Sequence, residues 1–443
     1  MLAKLPSALN ELGGYINRFI EVVGRDRWFK RLDQLEIDQR KSFFSWKIVA
    51  DYHWLEMAIG FQADVLEKEG RLLPELIDRL ILAALNFAAT TVEVYSQLSP
   101  AGKLVLEGRL RDAIKAETGF ASLYLELDLA QRLMDHGYDV QFPDMEGTAR
   151  FDLLFSRGTF AAEVECKSLS ADAGRQIHRK DFYRFMETIA PVLTKYADLK
   201  RQEVVIVSLA SRLASNTAHQ TRLFQATASI LLQDGSPSIV EGPDFRLERR
   251  PCAEFLARAP FSDQKALFKA CCAEFGPNIH VSGGVNEDSG CLVVMRSERE
   301  DDTSKPMLGA MRKAADQFSA QRPAFIAIQE HGIEAADLML PHVRRRAAVL
   351  SYALFEHYGA AHVNATYVTG LGAVVLRDGY LGTPAFAIPN MKPTFPISVA
   401  NAAPFLVHLP DQDYAAAIGA PLPAPNISFL PFDPQHDDYR DLT

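Results

Sequence analysis

From Ala162 to Lys167 the chain alternates strictly, with Ala162, Val164 and Cys166 apolar or weakly polar and Glu163, Glu165 and Lys167 charged. Successive side chains on a strand point to opposite faces. The stretch therefore reads as a strand with a buried back, to which Phe160 adds, and a face carrying two carboxylates and an ammonium. Most of what the sequence says about fold and chemistry radiates from this strand, because its buried back demands a sheet neighbour and a packed layer.

The surrounding pattern predicts an α/β multidomain chain. Residues 1–118 read as helical throughout, with apolar residues at helical spacing through 41–68 and 74–98. A helix over 121–136, closed by Gly137, precedes strands near 138–142, 150–156 and 159–167. A helix over about 175–199 and a buried strand, EVVIVSL (203–209), follow, and that strand is the expected partner of 159–167. Residues 237–250 read as a linker. A second α/β module is expected over 237–410, with strands at 279–282, 291–295, 324–328, 362–368 and 373–376 and helices at 307–320 and 335–358. Residues 411–443, rich in Pro and Asp, read as an extended tail.

Composition narrows the classes. A length of 443 residues implies two or three domains, and a net charge of −9 argues against a protein coated in positive charge, though not against a local basic groove. Five cysteines without a C-x-x-C pair speak against a disulfide framework or a zinc site, and fit a reducing, cytoplasmic location. The first residues lack a secretory leader, and the most apolar stretch, near 80–92, is too short to span a bilayer, so no membrane partner is expected. In GRDRWFKRL (24–32) cations interleave with Trp28 and Phe29; the favoured reading is an amphipathic segment with aromatics inward.

Several residues stand out against this frame. With about 100° per residue, Leu123, Leu129, Ala130 and Leu133 fall within about 60° of Glu126, which places a carboxylate in the middle of an apolar face. Such a group needs a cation, a metal or hydrogen-bond donors. Asp152 opens the strand FDLLF, where Asp is unfavourable without a reason. Asp152 and Glu165 offer the carboxylate oxygens that a hard cation such as Mg²⁺ takes together with waters, and Lys167 can act as a general base or hold water beside it. Beyond Lys167, Gly174 is expected at a helix start carrying Arg175, Gln176, His178, Arg179 and Lys180, a phosphate-binding pattern.

The order of helix with Glu126, strand, strand with Asp152, strand with Glu165-x-Lys167, basic helix and strand resembles the PD-(D/E)xK nuclease superfamily, the restriction-endonuclease-like fold. The resemblance covers about residues 119–235; Pro143-Asp144 spells the literal PD, while Asp152 has the better strand context. It implies a mixed-sheet nuclease core, with a helical domain before it and an α/β module after it. It further implies a Mg²⁺- or Mn²⁺-dependent nuclease in restriction, phage defence or repair. By resemblance Asp152 and Glu165 bind the metal, Lys167 positions or activates water, and Glu126 joins the metal shell; Glu163 is an additional candidate ligand. The expected partner is nucleic acid, DNA before RNA, and a homo-oligomer is compatible. The alternatives are an RNA-directed nuclease and a nuclease-like fold used for binding or assembly without catalysis.

Overall fold

A computed structural model describes residues 9–213, 217–232, 238–276, 278–285, 289–334, 338, 340–371, 374–375, 381–382, 385–405 and 429–431. Along the chain come α1 (Leu9–Val23), α2 (Arg25–Lys41), α3 (Trp46–Tyr52), α4 (Trp54–Glu69), α5 (Arg79–Gln97), α6 (Pro100–Lys115) and α7 (Ala121–Asp135). Strands β1 (Asp139–Gln141), β2 (Leu153–Arg157) and β3 (Phe160–Leu169) follow. Then come α8 (Arg179–Ala197), β4 (Gln202–Leu209), α9 (Thr217–Leu232), β5 (Ile239–Glu241), β6 (Phe245–Pro251), α10 (Ala253–Arg258), α11 (Gln264–Phe275), β7 (Ile279–Val285) and β8 (Gly290–Ser297). The described remainder holds α12 (Ser304–Ala315), β9 (Ala324–Glu334), α13 (Pro341–His357), β10 (Val363–Leu371), β11 (Val374–Val375), β12 (Leu381–Gly382), β13 (Ala385–Pro389), α14 (Val399–Ala402) and β14 (Phe429–Pro431). Among the described residues no helix is long and apolar enough to cross a membrane.

The chain is a mixed α/β protein whose contacts divide into two compact units. One comprises residues 1–36, 50–173 and 304–420; the other comprises 37–49, 174–303 and 421–443. This division does not follow the boundaries that local sequence pattern suggests.

The first unit holds a six-stranded sheet in the order β1-β2-β3-β9-β10-β13. β1, β2 and β3 are antiparallel neighbours, while β3, β9 and β10 run parallel. Val164 and Ala162 on the back of β3 are fully buried in one core with Leu123, Leu129, Ala130 and Leu133 of α7. Helix α7 packs on β3 on one side and on α5 on another, which explains why it is buried almost all round. Arg132 is buried with the rest of the helix, and its guanidinium donates to Tyr367 Oη. The opposite face of the sheet packs Ile326 and Ile328 against Met307, Met311 and Leu354 of α12 and α13. Trp28 is fully buried against Phe19, so the 24–32 segment is core-facing helix.

The second unit holds a sheet in the order β14-β7-β8-β4-β6-β5. Here the structure corrects two expectations. The strand EVVIVSL is β4, but its neighbours are β6 and β8, and β3 pairs instead with β9. The supposed linker at 237–250 contains the antiparallel pair β5 and β6. From β8 the chain passes through α12 to β9, which lies in the other sheet. Most of the expected tail lies outside the described residues; Phe429–Pro431 within it is the strand that pairs with β7.

Candidate active site

The site is built where β2 and β3 begin to part. Asp152 lies just before β2 rather than inside it. Its Oδ2 accepts the Cys166 backbone N–H at 2.7 Å, replacing a ladder bond with a side-chain one. That bond fixes the carboxylate beside the Glu165–Lys167 segment of β3 and supplies the reason for an Asp at this position. Glu165 is buried, and its Oε1 accepts from Lys167 Nζ, while its Oε2 is buried with no hydrogen-bond partner. Lys167 Nζ also donates to Gln317 Oε1 at 2.7 Å.

Glu126 enters from α7, buried in the apolar face where its spacing puts it. Its partner is a cation: Arg109 Nη1 of α6 donates to Oε2 at 3.0 Å and to Oε1 at 3.4 Å, and Arg109 Nη2 pairs with Asp144. The literal PD aspartate thus holds the arginine that holds Glu126.

Electrostatics ties the groups into one cluster. Burial pushes the Glu126 carboxyl up to about 8, and the Asp152 and Glu165 charges add to this against the pull of Arg109. Burial, then the Asp152 charge, pushes Glu165 up to about 7 despite Lys167. Asp152 itself is raised by burial, opposed by the Cys166 N–H, Arg109 and Lys167. Three carboxylates crowded in a poorly hydrated place repel one another, and two cations offset only part of that repulsion. The structure therefore brings together Glu126, Asp152, Glu165 and Lys167, and adds Arg109, Asp144 and Gln317.

Glu163 does not join them. It is fully buried, and its carboxylate accepts from Ser319 N at 2.9 Å and Ser319 Oγ at 2.5 Å, with Arg322 Nη1 at 3.8 Å. Arg175, Gln176, His178, Arg179 and Lys180 belong to the second unit. They do not form one helical run: α8 starts at Arg179, and Gly174 is a backbone contact point whose carbonyl accepts Asp302 N at 2.9 Å. Gln176 N donates to Asp301 Oδ1 at 2.7 Å, and His178 meets Arg212 Nη2 at 2.9 Å.

Compared with known proteins, the chain matches no family model, no curated protein and no solved structure. The chemistry of the donor set is then the guide. Among the described residues no group of three or more His, Cys, Asp or Glu side chains is arranged as a metal shell. All three acids offer carboxylate oxygens, the donors a hard divalent cation takes, and Glu165 Oε2 is buried with no hydrogen-bond partner.

Sequence reasoning misses Arg109 and Gln317. Neither sits in a motif. The one signal for Arg109 is indirect, since a carboxylate on an apolar helix face demands a cation from elsewhere.

Proposed function

We propose that this protein is a metal-dependent phosphodiester hydrolase acting on nucleic acid, DNA before RNA. The observation that carries this reading is the convergence of Glu126, Asp152, Glu165 and Lys167 in one charged cluster at the parting of β2 and β3. The order α7-β1-β2-β3-α12-β9 along one sheet also supports it. That order supports the reading of a restriction-endonuclease-like core, with α12 and β9 in the places where 175–199 and 203–209 were expected.

In this reading Asp152 and Glu165, with Glu126 beside them, hold Mg²⁺ or Mn²⁺. The bound ion supplies acidification of a water and neutralisation of charge on the phosphoryl oxygens. The chain's own residues do the positioning. Asp152 is fixed by the Cys166 N–H. The Lys167 ammonium, held between Glu165 and Gln317, presents its remaining donor to the attacking water or to a phosphoryl oxygen. Arg109 donates to both oxygens of Glu126 and so orients that carboxyl, opposing in part the burial that raises it.

A second reading, a non-catalytic nucleic-acid-binding or assembly module, draws on a specific observation. Arg109 already satisfies Glu126, as it would in a purely structural ion pair. One experiment separates the two: incubation with single- and double-stranded DNA and RNA in Mg²⁺, Mn²⁺ or EDTA, beside Lys167→Ala. Divalent-dependent cleavage that EDTA and Lys167→Ala both abolish is expected. A wild type that cuts nothing and binds no divalent ion leaves the non-catalytic module standing.

A further inference from the structure

We infer that Gln317 is a positioning residue for the Lys167 ammonium, and that Glu163 serves by anchoring the turn that carries it. The inference rests on the phosphodiesterase reading and extends the site to the turn between α12 and β9.

The amide of Gln317 has its orientation fixed from both ends. Its Nε2 donates to the Arg150 carbonyl at 2.8 Å, so its Oε1 faces Lys167 Nζ at 2.7 Å. A flipped amide would set its NH₂ against an ammonium and its oxygen against a carbonyl, repulsive at both ends. Arg150 lies two residues before Asp152. One side chain therefore links the backbone leading into Asp152 with the ammonium of Lys167. An ammonium has three donors on a flexible four-carbon stem. With Glu165 alone it would swing about one acceptor; a second acceptor across from the first fixes where the third donor points.

The turn itself is held against its own preference. Ala320 has φ +55°, a left-handed conformation that an L side chain adopts at a cost of about 1–2 kcal/mol. Two bonds from Ser319 to the fully buried Glu163, and a third from Glu163 N to Pro323 O at 2.9 Å, hold it in place. Glu163 and Lys167 share one face of β3, so the same strand that carries the ammonium carries the anchor of its partner. This gives Glu163 a role that needs no metal.

The test uses the full-length protein and the nucleic acid that the wild type cuts, with two readouts. Gln317→Leu is expected to lower kcat by about 10- to 100-fold with KM within about threefold, since misplacing one reacting group by about an ångström costs that much. Independently of activity, labelling of Lys167 by an amine-reactive ester, read by mass spectrometry, is expected to rise severalfold in Gln317→Leu, and to return towards wild type in Gln317→Glu, which keeps an acceptor. Glu163→Ala risks unfolding, so Ser319→Ala, which removes one anchoring bond, is the working variant; a fall in kcat of a few-fold with unchanged melting is expected, and Glu163→Gln should retain most activity. Wild-type kcat and wild-type labelling in Gln317→Leu overturn the positioning role while leaving the hydrolase reading intact. Unchanged kcat in Ser319→Ala overturns the part assigned to Glu163. If the wild type cuts nothing, the hydrolase reading fails first and the catalytic positioning role falls with it.

Discussion

At the scale of single residues, Asp152 and Lys167 separate chemistry from packing in different ways. The Lys167 ammonium is held by Glu165 and Gln317, so Lys167→Ala is expected to reduce cleavage by roughly a hundredfold or more with little change in melting temperature. Asp152 also receives the Cys166 N–H, so Asp152→Ala costs about 1 kcal/mol of stability besides activity. Asp152→Asn keeps that bond and removes the charge, and activity assays beside melting curves on both variants distinguish the two contributions. Arg109→Ala is expected to destabilise by about 2–3 kcal/mol, below the range for a fully enclosed pair because the Arg109 side chain is 29% exposed, as read by urea unfolding. The misplaced carboxylate at 126 was visible from helical spacing alone. Its partner was not, because Arg109 sits on α6 among other charged residues and only the three-dimensional packing selects it.

At the scale of elements, the structure turns on where the chain leaves β3. The helix at α8 and the strand at β4 follow β3 with the spacing of an ordinary crossover, and β4 and β9 carry the same apolar, β-branched signal. Local periodicity cannot choose between them; backbone pairing does, and it gives β3 to β9. For this reason the faces of β3, the helix α7 and the three-strand meander were legible, whereas the partner of β3 and the pair β5–β6 were not. The segment 174–303 is pinned where it begins and ends. Asp302 N donates to Gly174 O, and Gly174 has φ +80° with room for no side chain, a Cβ there lying 2.2 Å from Asp302 O. Gly174→Val is therefore expected to cost about 2 kcal/mol or more, through both the backbone conformation and the clash. Amide exchange at Gln176 and Asp302 should rise before exchange in β4; unchanged protection there would show that the contact does not secure the segment.

At the scale of the whole molecule, two units with separate cores imply separate responses to conditions. His280, on β7 in the second unit, donates through Nε2 to Ile177 O at 3.0 Å and packs on Phe182. Burial, with the nearby Arg175, Arg179 and His178 charges, pulls its imidazole down to about 3. The unfolded chain takes up a proton near 6.5 while the folded unit resists it. Stability is thus full above about 6.5 and falls as pH drops towards 3, by about 1.4 kcal/mol per pH unit at most. Urea melts at pH 7 and pH 5 should differ by about 2 kcal/mol for the second unit, and His280→Phe should flatten that difference. Amide exchange should show β4, β7 and β8 losing protection at low pH before β3, β9 and β10.

The pairing of β3 with β9 also has a consequence for how the molecule is made. Glu163 finds its partner Ala324 only after about 160 further residues have left the ribosome. At about 5–20 residues per second, that is roughly 10–30 s during which one edge of β3 is open. An unpaired strand edge is a template for wrong pairing. Translation of residues 174–303 therefore delays completion of the first sheet, and a nascent chain halted before residue 324 has the carboxylates and Lys167 but not the strand that orders them.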